Sequence, residues 1–528
     1  MQTTKLLGAM LAVALCLSAA EPEPAGTVIT ETEQLKRMFL ELQRQVADQQ
    51  HQIDQLRHEL AVRDSFGPKP SLGEVAVVAP AVPVTPVPEP QAAVATSAPT
   101  ISDATKAQLD ALGRNLGGFK FSGDLRFRFD LLDRAANTSL PSGDNRSTPQ
   151  QRARERYRVR FNIDKDLFAK DGQDKPLAHF HLQLATDPYN NPITMDTDFA
   201  GIATRAPFSI SEAYMDFNPL KGLTLRAGRT TELFADNRQF VYDDDIRFNG
   251  FHQTYRWTGK KGLYVQFGAA QYILTDPNVQ SVPTGSGFLA AGYKVGQRIP
   301  SSNLFDQGVT VGGNINKKWS TNFTVNYFAV REPNQIQLAS TANGAALFQN
   351  NPIVGSTLTS VLGGSGNATT TAGGGTYYAS AFHVVRQAFN LNYTGGTWRG
   401  HAFPFALFLQ GTQNTGASID QKGYMLGASL GQTAKRGDVQ FQYQYFYKPA
   451  NAFIAQFSDD DVGTGSGVNV KTNQLRVNFG ITRFLAWENR LYIQKGISVN
   501  NPAINYFLPL QQGYNTQFRL HSQFVFTF

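Results

Sequence analysis

The chain has 528 residues, a net charge of +7, one cysteine and only 17% charged residues. Soluble domains carry about 25%, so a set of ordinary soluble domains is disfavoured although the length would accommodate several. Aromatics reach 12%, with 38 Phe and 19 Tyr, yet mean hydropathy is −0.29; apolar residues must be finely mixed with polar ones, as alternation along strands produces.

The N-terminus predicts export. Lys5 precedes the apolar run "LLGAMLAVALCLSAA" (6–20) and then "EPEP", the pattern of a secretory signal peptide over 1–20, cleaved after Ala20 with Ser18 and Ala20 as the small positions. The large Leu15 directly before Cys16 fits a lipidation site poorly. Cleavage removes the single cysteine, and with it disulfides, thiolate metal sites and cysteine nucleophiles. An exported basic chain (pI ≈ 9.2) implies a basic surface or pore and no nucleic-acid partner.

Residues 31–64 carry Leu35, Phe39, Leu42, Val46, Gln49, Ile53, Leu56 and Leu60 at alternating spacings of four and three. This heptad seam predicts a periplasmic coiled coil rather than a lone amphipathic helix, with Phe39, Val46, Ile53 and Leu60 at a. β-Branched residues at a and Leu at d lean towards two strands, while Phe39 and Gln49 weaken that rule, so two or three strands stay open. Residues 65–118 follow as a Pro-rich linker and a short helix. The stretch 67–100 lacks aromatics and cannot bury a core, so it favours extended polyproline II. At about 3.1 Å per residue it reaches on the order of 100 Å.

From residue 119 the period becomes two. "FKFSGDLRFRFDLL" sets Phe119, Phe121, Leu125, Phe127, Phe129 and Leu131 against Lys120, Ser122, Asp124, Arg126, Arg128 and Asp130. "RYRVRFNID" and "VQFQYQYFY" repeat the pattern. Sixteen strands are predicted: 119–131, 155–165, 177–186, 209–217, 222–230, 250–257, 263–273, 307–316, 321–330, 382–394, 401–411, 423–432, 438–448, 473–483, 489–497 and 516–528. The stretch 287–295 is a competing strand.

Tight connections such as "NPLKG" (218–222), "TGKKG" (258–262), "KKWST" (317–321), "TGGTWRG" (394–400), "TAKRGD" (433–438) and "LAWENR" (485–490) alternate with long loops, the longest over about 331–381. Short turns at one rim and long loops at the other describe an all-β transmembrane barrel of the outer membrane over 119–528, of about 16 antiparallel strands. A soluble sandwich has no reason to segregate its loops that way. Closure also satisfies every backbone group in lipid.

The stretches "EAYMDFNPLKGLTLRAGR" (212–229), "FVYDDDIRFNG" (240–250) and "SDDDVGTGSGVNVKTNQLRVNFG" (458–480) resemble the bacterial putative-porin family of outer-membrane barrels. The layout is similar to phosphate-selective porins, which carry an N-terminal periplasmic coiled coil. The resemblance implies a homotrimeric, water-filled channel whose third extracellular loop folds inward.

A barrel of this size keeps an aqueous lumen, so its inward residues set what passes. Lys120, Arg126, Arg128, Arg156, Arg158, Arg160 and Arg226 form a predicted basic strip. On the lipid face at midplane such charges would cost roughly 2–4 kcal/mol each. The blander alternative pairs them with Asp124, Asp130 and Asp164. The loop between the fifth and sixth strands carries Glu232, Asp236, Asp243, Asp244 and Asp245; folded inward, these acids would oppose the arginines across the pore. Otherwise they are a solvated cluster or a divalent-cation site among lipopolysaccharide heads.

Enzymatic readings lack support. His179, His181 and His252 have no Ser or Asp singled out beside them by spacing, and "GTGSG" (463–467) and "GGSG" (363–366) lie in loops, not on a strand-to-helix elbow. No cofactor is expected, and the few histidines disfavour a transition-metal site. The expected function is an outer-membrane porin for small hydrophilic solutes or ions, with a preference for anions or a phosphate-selective pore as variants. An envelope tether to peptidoglycan through the coiled coil is the alternative of another class. The expected partners are outer-membrane lipid, the permeating solutes, peptidoglycan and two further copies of the chain. Phe524, Phe526 and Phe528 close the last strand, and a terminal aromatic of this kind resembles the signal read by the barrel assembly machinery.

Overall fold

The computed structural model describes residues 118–528 except 135–149, 169–174, 189–193, 200–206, 237, 280, 283–286, 340–366, 460, 463–466 and 498–515. The expected signal peptide, coiled coil and linker (to residue 117), with most of the longest loop, lie outside the described residues. Within them no helix is long and apolar enough to cross a membrane, which says nothing of crossing by strands.

Sixteen wall strands run in chain order: β1 Phe119–Arg134, β2 Gln150–Leu167, β3 Ala178–Thr186, β4 Phe208–Phe217, β5 Leu223–Thr230, β6 Phe248–Thr258, β7 Tyr264–Thr275 and β8 Ser302–Asn314. The second half is β9 Trp319–Arg331, β10 Phe382–Tyr393, β11 Phe405–Asn414, β12 Lys422–Gly431, β13 Val439–Lys448, β14 Val470–Gly480, β15 Leu485–Gly496 and β16 Gln517–Thr527. Each pairs antiparallel with its neighbours in sequence, and β16 pairs with β1 (Leu125↔Phe526, Asp130↔His521), so the sheet closes into a 16-strand barrel. Closure gives each wall strand two neighbours, so the sheet has no free edge strand among the described residues, as a barrel in lipid requires.

Alternation sorts the two faces. Along β1, Phe119, Phe121, Phe127, Phe129 and Leu131 point outward and are exposed, while Asp124, Arg126, Arg128 and Asp130 are buried inside. In β16, Phe518, Phe524 and Phe526 face out and Arg519, His521 and Gln523 face in. All four tryptophans gather at the short-turn rim, at the end of β6 (Trp257), the start of β9 (Trp319), the connection 394–404 (Trp398) and the start of β15 (Trp487). Cations cap this belt: Arg256 lies 3.8 Å over the Tyr264 ring, Arg483 4.3 Å over Phe484 and Lys165 4.8 Å over Phe119. Amphipathic rings with adjacent cations sit at a membrane–water interface.

Five local expectations are corrected. "LAWENR" (485–490) is the beginning of β15, not a turn; Glu488 and Arg490 on it are inward charges paired with each other at 3.1 Å. The candidate strand over 287–295 begins as a short helix, Gly287–Ala290, whose Phe288 is buried with Val282, Ile299 and Leu338 away from the wall. β2 starts at Gln150 rather than 155, because Arg152 and Arg154, which read as loop residues, bond inward to Asp130. β8 starts five residues earlier than 307 and β11 extends to Asn414. The connection 415–421 is therefore short, although it lies at the long-loop rim.

Candidate functional site

β1 and β2 pair with Arg126 opposite Arg158 and Arg128 opposite Arg156. Like charges directly opposite repel, and these four guanidinium groups are at most 5% exposed. Such a cluster persists only with counter-charges placed inside it. Asp196 supplies the centre: its carboxylate lies 3.0 Å from Arg126 Nε, 2.7 Å from Arg128 Nη1 and 3.6 Å from Arg156 Nη1. β2 outruns its partner β3, and the two-residue strand Thr197–Asp198 fills the gap by pairing with Arg156 and Tyr157. That pairing brings the buried Thr194, Met195 and Asp196 against the inward arginines, while Phe199 stays exposed and packs on Tyr157. Burial alone would raise the Asp196 carboxyl, but the surrounding arginines overcome it and hold it well below the usual carboxylate range. Arg158 and Arg160 share Asp124 at 3.0 and 2.6 Å.

A second knot closes the seam. Asp130 on β1 accepts from Arg154 on β2 and Arg519 on β16 at 2.7 and 2.9 Å. Asp461, in the loop 449–469, lies 3.0 Å from Arg519 and 3.4 Å from Arg128. Three strands and one loop are thus tied by two carboxylates.

The loop 231–247 leaves β5 and returns as β6, yet its contacts lie around the whole ring. Asp245 accepts from Arg158 of β2 at 3.2 Å and from the Met195 amide at 3.0 Å. Asp236 pairs with Arg386 of β10 and accepts from Gln410 of β11. The Gln239 carbonyl accepts from Lys448 of β13 at 2.8 Å, and its amide oxygen from Arg476 of β14 at 2.6 Å. The loop therefore spans the lumen. Phe240, Tyr242 and Ile246 of this loop and Phe453 and Phe457 of 449–469 share one apolar cluster with inward Leu304, Phe328, Val384, Phe408 and Phe446. Each such burial contributes roughly 1.5–3 kcal/mol, so the loop is held by packing as well as by charge. Glu232 lies deep beside Arg386 and Asp236 in a small polar pocket; burial pushes its carboxyl up to about 7, with Arg386 opposing.

The filling is densest in the long-loop half. Inward Asp306, Asn326 and Gln444 there are buried, whereas Asn162, Asp164, Thr310, Thr324 and Asn390, nearer the short turns, remain partly exposed. A polar vestibule thus opens below a loop-filled band.

The predicted basic residues divide accordingly. Arg126, Arg128, Arg156 and Arg158 come together, Arg160 joins through Asp124, and Lys120 and Arg226 stand apart, paired with Asp166 at 2.7 Å and Asp216 at 2.6 Å. Of the loop acids, Asp245 meets the arginine wall directly and Asp236 serves the other wall, while the Asp243 amide donates to the Phe457 carbonyl and Asp244 accepts from Gln239. Asp196, Asp198 and Asp461 went unnoticed because nothing in a polar loop's sequence tells which acid turns inward. Arg386, Arg519 and His521 were legible: each occupies an inward position of an alternating strand. Two groups of side chains among the described residues bring three metal-type donors together, Asp243–Asp244–Asp459 and Asp164–His179–His181. The first has the buried Lys448 ammonium as a charge neighbour.

A closed 16-strand barrel with an apolar outer face, a charged interior and loops drawn into its lumen defines the class: a porin-like channel of the outer membrane. Residues 128–276 match the family described as Putative porin, so the resemblance to that family of outer-membrane barrels holds. The chain is similar to the anion-selective porin of Comamonas acidovorans (13% identity, 78% of this chain and 99% of that one, TM-score 0.39). It is also similar to OprB of Pseudomonas putida in its high-pH structure (11% identity, 81% and 96%, TM-score 0.42). A third likeness is to OmpF of Salmonella typhi in complex with daunomycin (10% identity, 78% and 97%, TM-score 0.39). No curated protein matches the chain.

Proposed function

We propose that the chain is a porin for passive diffusion of small hydrophilic solutes, narrowed by the loop 231–247. The observation that carries this reading is the double anchorage of that loop, Asp245 to Arg158 on β2 and Asp236 to Arg386 on β10. A segment held at both walls narrows the lumen without sealing it, and the polar vestibule below supplies the aqueous path. The arginine wall gives at most a mild preference for anions, because Asp124, Asp196 and Asp461 offset most of its charge inside the same cluster. That compensation speaks against a phosphate-selective pore, which needs cations free to meet the ligand. Trimers and a periplasmic, peptidoglycan-facing coiled coil complete the proposal on the strength of the heptad seam and the family resemblance.

The test is reconstitution in planar bilayers, with reversal potential measured under a KCl gradient. The expected result is open, ohmic channels with a weak shift towards the chloride potential. A correctly folded barrel that carries no current would overturn the proposal. Deleting 31–100 should leave conductance unchanged and loosen attachment to peptidoglycan; a loss of conductance instead would mean that the N-terminal segment belongs to the pore.

A further inference from the structure

The polar vestibule contains a cluster apart from the Asp236 and Asp245 anchors of the loop. β2 and β3 pair with Asp164 opposite His181 and Asp166 opposite His179. Residues two apart on a strand share a face, so both imidazoles and both carboxylates stand on the inner wall. Asp164 Oδ1 lies 2.7 Å from His181 Nδ1 and 3.3 Å from His179 Nε2. The remote ring nitrogens are also occupied: His179 Nδ1 is 2.8 Å from Asp166 Oδ1, and His181 Nε2 is 3.6 Å from Glu212 Oε2 on β4. Asp166 is additionally bound by Lys120 at 2.7 Å and Glu212 by Arg247 at 2.5 Å. Tyr214 stacks on the His181 ring at 4.8 Å and fixes its plane.

We infer that Asp164, His179 and His181 form a binding site for a divalent transition-metal ion of the zinc or copper class, open to the lumen. Three observations meet here. Two imidazoles and one carboxylate are the donor set such ions take, whereas calcium and magnesium require oxygen cages. Tetrahedral bonds of about 2.0–2.2 Å place neighbouring donors roughly 3.3–3.6 Å apart; the His179–Asp164 spacing already meets this, and the His181–Asp164 hydrogen bond has to open by less than about 1 Å. His179 also directs its far nitrogen at Asp166 at 2.8 Å, the outer arrangement that orients a metal-bound histidine and fixes its tautomer, while Tyr214 holds the His181 ring. Asp166 has a cationic partner of its own, so it is set to accept from the ring rather than to bind the ion. With the His179, His181 and Asp164 side chains 25%, 12% and 26% exposed, water fills the remaining coordination positions and the ion exchanges from the lumen.

The experiment is calorimetric titration of the folded full-length barrel in detergent with zinc alone, beside a magnesium control. Conduction plays no part in this readout, so its outcome is independent of the channel proposal. One zinc per chain is expected, with no magnesium heat. His179→Gln with His181→Gln should abolish binding while the heat-modifiable gel shift reports an intact barrel. Asp166→Asn, which leaves all three ligands in place, should weaken binding about 10–100-fold. Absence of zinc binding to the folded wild type, or binding undiminished in the double glutamine variant, overturns the site.

Discussion

Gly123 and Phe528 exchange two backbone hydrogen bonds, at 3.0 and 3.1 Å, across the seam of the barrel. A Cβ on residue 123 would stand 2.6 Å from the Phe528 ring and 2.4 Å from the Arg160 carbonyl. Phe528 is thus seated on Gly123, the one glycine of β1, whose missing side chain makes room for the ring.

Deleting Phe528 removes both hydrogen bonds and the ring's contact with Phe526, whose centroid is 6.3 Å away. With about 0.5–1.5 kcal/mol for each hydrogen bond, the loss should amount to a few kcal/mol and appear as slower, incomplete folding into lipid. Gly123→Val should act in the same direction with the terminus intact. Urea-dependent gel-shift folding measures both; wild-type folding in both variants would leave the seat without a structural role.

Asp196→Asn leaves Arg126, Arg128 and Arg156 around a neutral centre. Removing one partner from a buried charge cluster costs roughly 3–5 kcal/mol. The variant should unfold at lower urea, and its reversal potential should move towards that of chloride because a lumen carboxylate has gone. An unchanged reversal potential would show that permeating ions do not sense this cluster.

Much of this was legible from the sequence, and the failures have physical causes. The period-two pattern placed all sixteen strands because outward Phe127, Phe323 or Phe526 and inward Arg128, Asn326 or Gln523 cannot exchange faces in lipid. Strand ends are hidden from the pattern where the inward residue is charged and paired, as at Arg152 and Glu488, since charge at a strand end looks like a loop. The inward arginines and pairing partners such as Asp124 are legible on the strands, while the loop carboxylates that complete the pairing are not. Asp196 reaches the arginines through a two-residue strand that no local pattern announces, and Asp461 comes from a loop more than 300 positions away from Arg128.

Glu232 predicts a dependence on pH. Its folded pKa of about 7 lies above the ordinary value of about 4.3, so the folded state holds the proton more tightly than the unfolded state. Stability should therefore fall as pH rises from about 4.5 to 7 and stay low above that, by up to about 3 kcal/mol at 1.36 kcal/mol per pKa unit. Glu232→Gln should remove this component and be the more stable protein at pH 8. Urea midpoints at pH 5 and pH 8 for both proteins decide it; a wild type that gains on the variant with rising pH contradicts the assignment.

The tryptophan belt fixes the membrane position of the short-turn rim. Trp257, Trp398 and Trp487 are exposed on the outer face, at the depth where amphipathic rings meet headgroups. Lipids brominated near the headgroup should quench their fluorescence more than lipids brominated at the chain end. The opposite order would place the rim in the bilayer core and shift the whole barrel.

The central claim is that a loop anchored at both walls narrows an otherwise open barrel. Its most direct test is single-channel conductance of the wild type beside an Asp236→Ala, Asp245→Ala variant, with folding verified by gel shift. The wild type should pass steady ohmic current, and release of the loop from Arg386 and Arg158 should raise the conductance and admit larger uncharged solutes. A folded wild type that stays silent, or a double variant with the same conductance and size limit, contradicts the account.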